Sequence, residues 1–162
     1  MAKYELLEIE EGDFKGFYRI KALVSSKSFK KEEVGGIVAS KDSLSQEGEC
    51  WLRKDSFILD NAKVSGDILI EESSIKGDAI INGNGRIISS LIEDKAYLKG
   101  NFLILSAYIS GNSIVEGDIK ISFSNIENNA IVRSLTQHNV NDVNDFKIII
   151  EGVSLIKNNA KI

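Results

Sequence analysis

The residues of this chain best suited to catalysis are His138 and Cys50, and each is the only residue of its type in the 162-residue sequence. A histidine can act as the general base of an acyl transfer. His138 lies beside Gln137 and Asn139, however, which are ordinary loop-forming residues. A zinc site with three histidine ligands is excluded, because the chain has one histidine. His138 is therefore either the base of an acyl transfer or a solvated loop residue.

Neither Cys50 nor the glycine-rich stretch of the chain predicts a reactive site. Cys50 precedes Trp51, and apolar surroundings raise the pKa of a thiol, so a buried structural cysteine is favoured over a nucleophile. The stretch Gly83-Asn84-Gly85 lacks the strand, turn and helix that surround a phosphate-binding loop. We therefore expect no catalytic residue, no metal and no cofactor.

The composition is typical of one globular domain, with 43% hydrophobic and 27% charged residues. The net charge of −4 argues against direct nucleic-acid binding, which needs a basic surface. A single cysteine suits a reducing compartment. No stretch approaches the roughly 18 apolar residues of a membrane span, and the N-terminus has no apolar signal core. The sequence thus predicts a cytoplasmic protein without a membrane partner.

A short phrase recurs along the chain: an aliphatic residue, any residue, and then a pair such as Gly-Asn or Gly-Asp. Its third residues alternate at spacings of 6 and 11, so the period is 17 residues, and they occupy positions 60, 66, 77, 83, 94, 100, 111, 117 and 128. A further aliphatic residue divides each 11-residue step, at Ile70, Ile87, Ile104 and Ile121. A fixed short period predicts a solenoid.

Within each period, a small residue lies two positions before most of these aliphatic residues, as Ala62 does before Val64 and Ser73 before Ile75. Residues two apart in a strand point the same way, so each triplet predicts a short strand with two inward side chains. Three strands and three corners then make one coil. The fold class predicted is all-β: a single-stranded β-solenoid of about six 17-residue coils, left-handed because its steps resemble hexapeptide repeats.

Residues 17 apart should touch in such a fold, because successive coils lie about 4.8 Å apart. The residue between the small and the aliphatic position must then point outward. One outward column is an apolar stripe of Ile80, Tyr97, Ile114 and Ile131, and a second contains Leu91 and Tyr108. Exposed apolar stripes mark interaction surfaces, unless another segment of the chain covers them.

The two ends of the chain depart from the repeat. Residues 1–51 predict a β-rich N-terminal cap, with a hairpin around Gly12, a turn at Gly35-Gly36, and Trp51 closing the first coil. Residues 52–162 predict the solenoid. An excess of seven residues predicts an inserted loop near 136–147, which includes His138 and either has a function or covers the last strand edge.

Part of the N-terminal half resembles a family of β-helical bacterial and prophage-encoded proteins that includes the enterobacterial YdcK-like proteins. The resemblance covers roughly residues 17–67 and depends on Tyr18, Arg19, Ile20, Gly35, Gly36, Leu44, Ser45, Gln46, Gly48, Cys50, Trp51, Asn61, Ala62, Val64 and Gly66. It implies a β-helix, often on a mobile element. It implies no activity, so it transfers no functional residue.

These observations favour a non-enzymatic protein that binds another protein. The resemblance makes the most specific version a phage-encoded inhibitor of a host protein, such as a CRISPR or other defence nuclease. The apolar stripe also fits a homodimer. The alternatives are a self-assembling structural β-helix and a hexapeptide-repeat acyltransferase. The residues predicted to bind a protein are Ile80, Tyr97, Ile114, Ile131, Leu91, Tyr108 and His138.

Overall fold

The computed structural model describes residues 1–134 and 146–162, and this part of the chain is all-β, with no helix. From the N-terminus its strands are β1 (Tyr4–Glu8), β2 (Tyr18–Ala22), β3 (Val34–Val38), β4 (Trp51–Leu52), β5 (Phe57–Ile58), β6 (Lys63–Glu71), β7 (Ser74–Ile75), β8 (Ile80–Ile88), β9 (Leu91–Ile92), β10 (Tyr97–Leu105), β11 (Tyr108–Ile109), β12 (Ile114–Ser122), β13 (Ser124–Ile126), β14 (Ile131–Arg133), β15 (Ile148–Ile150) and β16 (Ser154–Ile156).

The strands stack into a β-solenoid of about six coils, as predicted. The long strands β6, β8, β10 and β12 form one parallel sheet, to which β4, β14 and β15 are added. The short strands from β5 to β13 and β16 form a second sheet, which β1, β2 and β3 extend. Each long strand pairs in register with the strand 17 residues away, as Leu98 does with Ile81 and Val115. Left-handed coiling stays a prediction.

The prediction of three separate strands per coil is wrong, because two of them are one bent strand. Gly66, Gly83, Gly100 and Gly117 lie inside the nine-residue strands and keep their ladder pairing. Their φ angles, from 99° to 155°, bend the strand without ending it. True corners occur at two other positions of the coil, one of which, at Glu72, Ser89, Ser106 and Phe123, has no glycine.

Three aliphatic ladders fill the interior. One consists of Val64, Ile81, Leu98, Val115 and Val132; another of Ile58, Ile75, Ile92, Ile109 and Ile126; and the third of Leu52, Ile70, Ile87, Ile104 and Ile121. Every member is at most 2% exposed. Burying such a side chain contributes roughly 1.5–3 kcal/mol, and each coil completes the burial of its neighbours.

The N-terminal segment covers the first coil. β1 and β2 form the predicted antiparallel hairpin, and β3 joins the parallel sheet through β5. Trp51 is fully buried, as expected, and its ring stacks 4.3 Å from that of Phe29. The predicted turn at Gly35-Gly36 is wrong: both glycines lie in β3, where a Cβ on Gly36 would come within 2.3 Å of the Ser56 carbonyl oxygen.

The last coil has a different register from the predicted one. Gly152 was matched to the corner that contains Asn128, but the amide of Asn129 bonds to the carbonyl of Asn158, so Asn158 occupies that corner. Ile150 pairs with Ile121, an offset of 29 residues, so the excess over one coil is twelve residues and not seven. The phrase misled because aliphatic-x-Gly also fits the other corner. Of the predicted loop, residues 136–145 lie outside the described residues.

Candidate binding surfaces

The predicted apolar stripe is assembled as the period required. Ile80, Tyr97, Ile114 and Ile131 are ladder partners on the long-strand sheet. Ile80 is 46% exposed, whereas the other three are half-buried. The register is therefore confirmed, while binding by this stripe stays a prediction.

Leu91 and Tyr108 are also ladder partners, but on the short-strand sheet. The structure thus divides the predicted site between two sheets. His138 lies outside the described residues, so its predicted role stays a prediction.

Leu91 and Tyr108 line an open groove of about 650 Å³ that runs along the solenoid. One wall is the outward column of the short strands, from Phe57 through Leu91 and Tyr108 to Asn125. The other is the corner column of Glu72, Ser89 and Ser106. Small residues between the two columns form its floor: Ser73, Ser90 and Ala107. The groove is deep because these floor residues are small and turned inward.

Hydrogen bonds and ion pairs fix the polar groups along the groove. The Ser89 hydroxyl donates to Glu72 at 3.0 Å. The Tyr108 hydroxyl donates to Glu93, which also pairs with Lys76 at 2.8 Å. The bond from Lys76, followed by that from Tyr108, lowers the pKa of Glu93, and the bond to Glu93 raises the pKa of Tyr108. The Tyr108 ring is therefore held in one orientation beside the groove.

An exposed apolar surface that the sequence analysis missed lies on the last two coils. Phe123 is 63% exposed, and Ile149, Val153 and Leu155 are exposed as well. These four residues are called the C-terminal corner surface below. Ile149 extends the outward column that contains Lys120, and Leu155 extends the one that contains Asn125. Correct pairing of the last coil would have revealed it, but the predicted register was wrong.

Phe123 also has a strained backbone. Its φ is 54°, in the left-handed region that bulky residues avoid. The equivalent corner residues Glu72, Ser89 and Ser106 share this conformation but carry polar side chains. An exposed phenylalanine thus occupies a place where a polar residue would serve the fold better.

Cys50 is fully buried, which agrees with the structural role expected for it. Its sulfur lies 3.1 Å from Nζ of Lys3, which also donates to the Cys50 carbonyl at 2.9 Å. Burial raises the pKa of the Cys50 thiol more than Lys3 lowers it. The pair therefore fixes the N-terminus against the first coil.

Among residues 1–134 and 146–162, no group of three or more His, Cys, Asp or Glu side chains could hold a metal ion. In the same residues, no helix is long and apolar enough to cross a membrane. The sequence matches no protein-family model, and no curated protein matches it significantly. The residues themselves must therefore support any functional proposal.

Proposed function

We propose that this chain is a non-enzymatic protein whose function is to bind another protein through the C-terminal corner surface. The observation that supports the proposal is Phe123, whose aromatic ring is exposed at a cost in backbone strain. Strain of this kind persists where function requires it. Neighbouring apolar side chains enlarge the surface, and aromatic residues are frequent anchors in protein interfaces.

The more specific form of this proposal concerns the partner. The resemblance to prophage-encoded β-helical proteins supports a phage-encoded inhibitor, and a host defence protein such as a CRISPR nuclease is the partner it favours. Such an inhibitor would act in the cytoplasm, where a buried, reduced Cys50 is at home.

The experiment compares three variants in binding to, and inhibition of, purified host defence nucleases. Phe123→Asn removes the exposed ring, Ile80→Asp changes the predicted stripe, and Lys99→Asp alters an exposed site on neither surface. We expect Phe123→Asn to abolish binding and Lys99→Asp to leave it unchanged. Loss with Ile80→Asp alone would move the interface to the stripe. Full binding by Phe123→Asn would contradict the proposal.

Self-assembly is the second candidate, and the last coil supports it. β16 is the edge strand of its sheet, and Leu155 on it is exposed. Edge strands pair readily with a second chain. We would expect light scattering to show a mass that rises with concentration, and Leu155→Asp to keep the protein monomeric. A concentration-independent monomer would exclude this candidate. Acyl transfer by His138 is a further alternative, to be tested as loss of acetyl-CoA turnover in His138→Ala.

A further inference from the structure

The groove offers the same three positions on each coil that lines it: an outward strand residue, a corner residue, and a small floor residue between them. Because neighbouring coils are about 4.8 Å apart, a linear ligand lying along the groove meets an equivalent set of groups at each such step. The outward positions that line it are Phe57, Ser74, Leu91, Tyr108 and Asn125, which makes five rungs. Such a site suits a polymer with a repeat close to that distance.

The chemistry of the walls restricts the polymer. Hydroxyl groups of Ser74, Ser89 and Ser106 and carboxylates of Asp55 and Glu72 face the groove, and no lysine or arginine lines it. A nucleic acid or another polyanion would meet negative charge and no cation, so it is disfavoured. Hydroxyls and carboxylates suit a neutral ligand that is rich in hydroxyl groups.

Aromatic and aliphatic side chains supply apolar contact between these polar groups. The Tyr108 ring is held by its bond to Glu93 and presents a face next to Leu91 in the same wall. The electron-rich face of an aromatic ring attracts the polarised C–H groups on one side of a pyranose. At the N-terminal end, Phe14 stacks 5.1 Å from Phe57, so the hairpin loop meets the groove there.

The spacing separates a glycan from an extended peptide. An extended polypeptide presents side chains on one face about every 6.6 Å, which does not match coils about 4.8 Å apart. A pyranose in β-1,4 linkage advances by nearly one coil. We propose that the groove binds a neutral β-1,4-linked oligosaccharide along the solenoid axis, with about four sugar units over five rungs. This site is separate from the C-terminal corner surface and goes beyond the proposed protein binding.

The test is calorimetric titration of the protein with cellohexaose, chitohexaose, mannohexaose and xylohexaose. We expect saturable binding of at least one, with an affinity that rises from the disaccharide and levels off near four units. Tyr108→Ala should weaken it roughly five- to tenfold, the loss of one aromatic contact. Tyr97→Ala, the same change on the other sheet, should leave it unchanged, and thermal melting will show that both variants are folded.

Two results would overturn the proposal. The first is that none of the four hexaoses binds, or that Tyr108→Ala binds as well as the wild type. The second is binding of decaproline in their place, because a polyproline II helix repeats about every 9.3 Å and thus spans about two coils. The α-1,4-linked maltohexaose serves as the linkage control, and it should bind more weakly than the best β-1,4-linked probe.

Discussion

At the scale of single residues, a serine ladder stabilises the corner beneath the groove. The hydroxyl of Ser73 accepts the amide of Ser90 at 3.0 Å, and that of Ser90 accepts the amide of Ala107 at 3.0 Å. Each hydroxyl also donates to the carbonyl two residues earlier, at 2.6 Å and 2.8 Å. Ala107 interrupts the ladder, because it has no hydroxyl to receive the amide of Ser124.

We therefore expect Ala107→Ser to raise the free energy of unfolding by about 1 kcal/mol, the net value of one hydrogen bond. Ser90→Ala should lower it by about 1–3 kcal/mol, since it leaves the buried amide of Ala107 without its acceptor. Urea denaturation measures both. An Ala107→Ser variant less stable than the wild type would contradict the ladder.

Phe123 allows stability and function to be separated at one residue. Asparagine tolerates the left-handed conformation that phenylalanine avoids. Phe123→Asn should therefore raise the free energy of unfolding by about 0.5–1 kcal/mol while it removes partner binding. Ser106→Asn, at the equivalent corner one coil earlier, is the matched control and should change stability less. A destabilised Phe123→Asn would mean that the ring supports the fold.

At the scale of the strand, the glycine bends are the most demanding feature. An added Cβ at Gly100, whose φ is 120°, would lie 2.5 Å from the carbonyl oxygen of Gly117 on the next coil. Gly12 also has a positive φ, but nothing lies within 4 Å of its added Cβ. The two glycines therefore separate backbone strain from steric overlap.

Gly12→Ala should lower the free energy of unfolding by about 1–2 kcal/mol, the cost of the backbone conformation. Gly100→Ala should lower it by more than about 3 kcal/mol, because the next coil must also move. Thermal and urea melting of the two variants measures the difference. Equal losses would show that the coils at Gly100 are not closely stacked.

The sequence predicted those elements whose residues must repeat. An inward position such as Leu98 must be aliphatic in every coil, so the ladders and their period were readable from residue types alone. The bend at Gly100 was not distinguishable from a corner, because both need positive φ. The corner at Glu72 and Ser89 carries no glycine, so it gave no signal.

At the scale of the whole molecule, surfaces were harder to predict than the core. The columns of Tyr97 and Tyr108 were found, because an outward position follows from the inward ones. The groove was not, since its depth depends on how the corner at Ser89 stands against the short strands. The C-terminal corner surface depended on the register of the last coil, which a phrase shared by two corners could not determine.

The groove, the C-terminal corner surface and the proposals built on them all require residues 17 apart to be neighbours, and disulfide trapping tests this directly. In a Cys50→Ala background, Asn82→Cys with Lys99→Cys places two thiols on paired positions of adjacent coils. Asn82→Cys with Glu116→Cys separates them by two coils, roughly 9.6 Å, beyond the reach of a disulfide. Mild oxidation followed by mass spectrometry should show a bond in the first pair and free thiols in the second. Free thiols in the first pair, or equal bonding in both, would contradict the account.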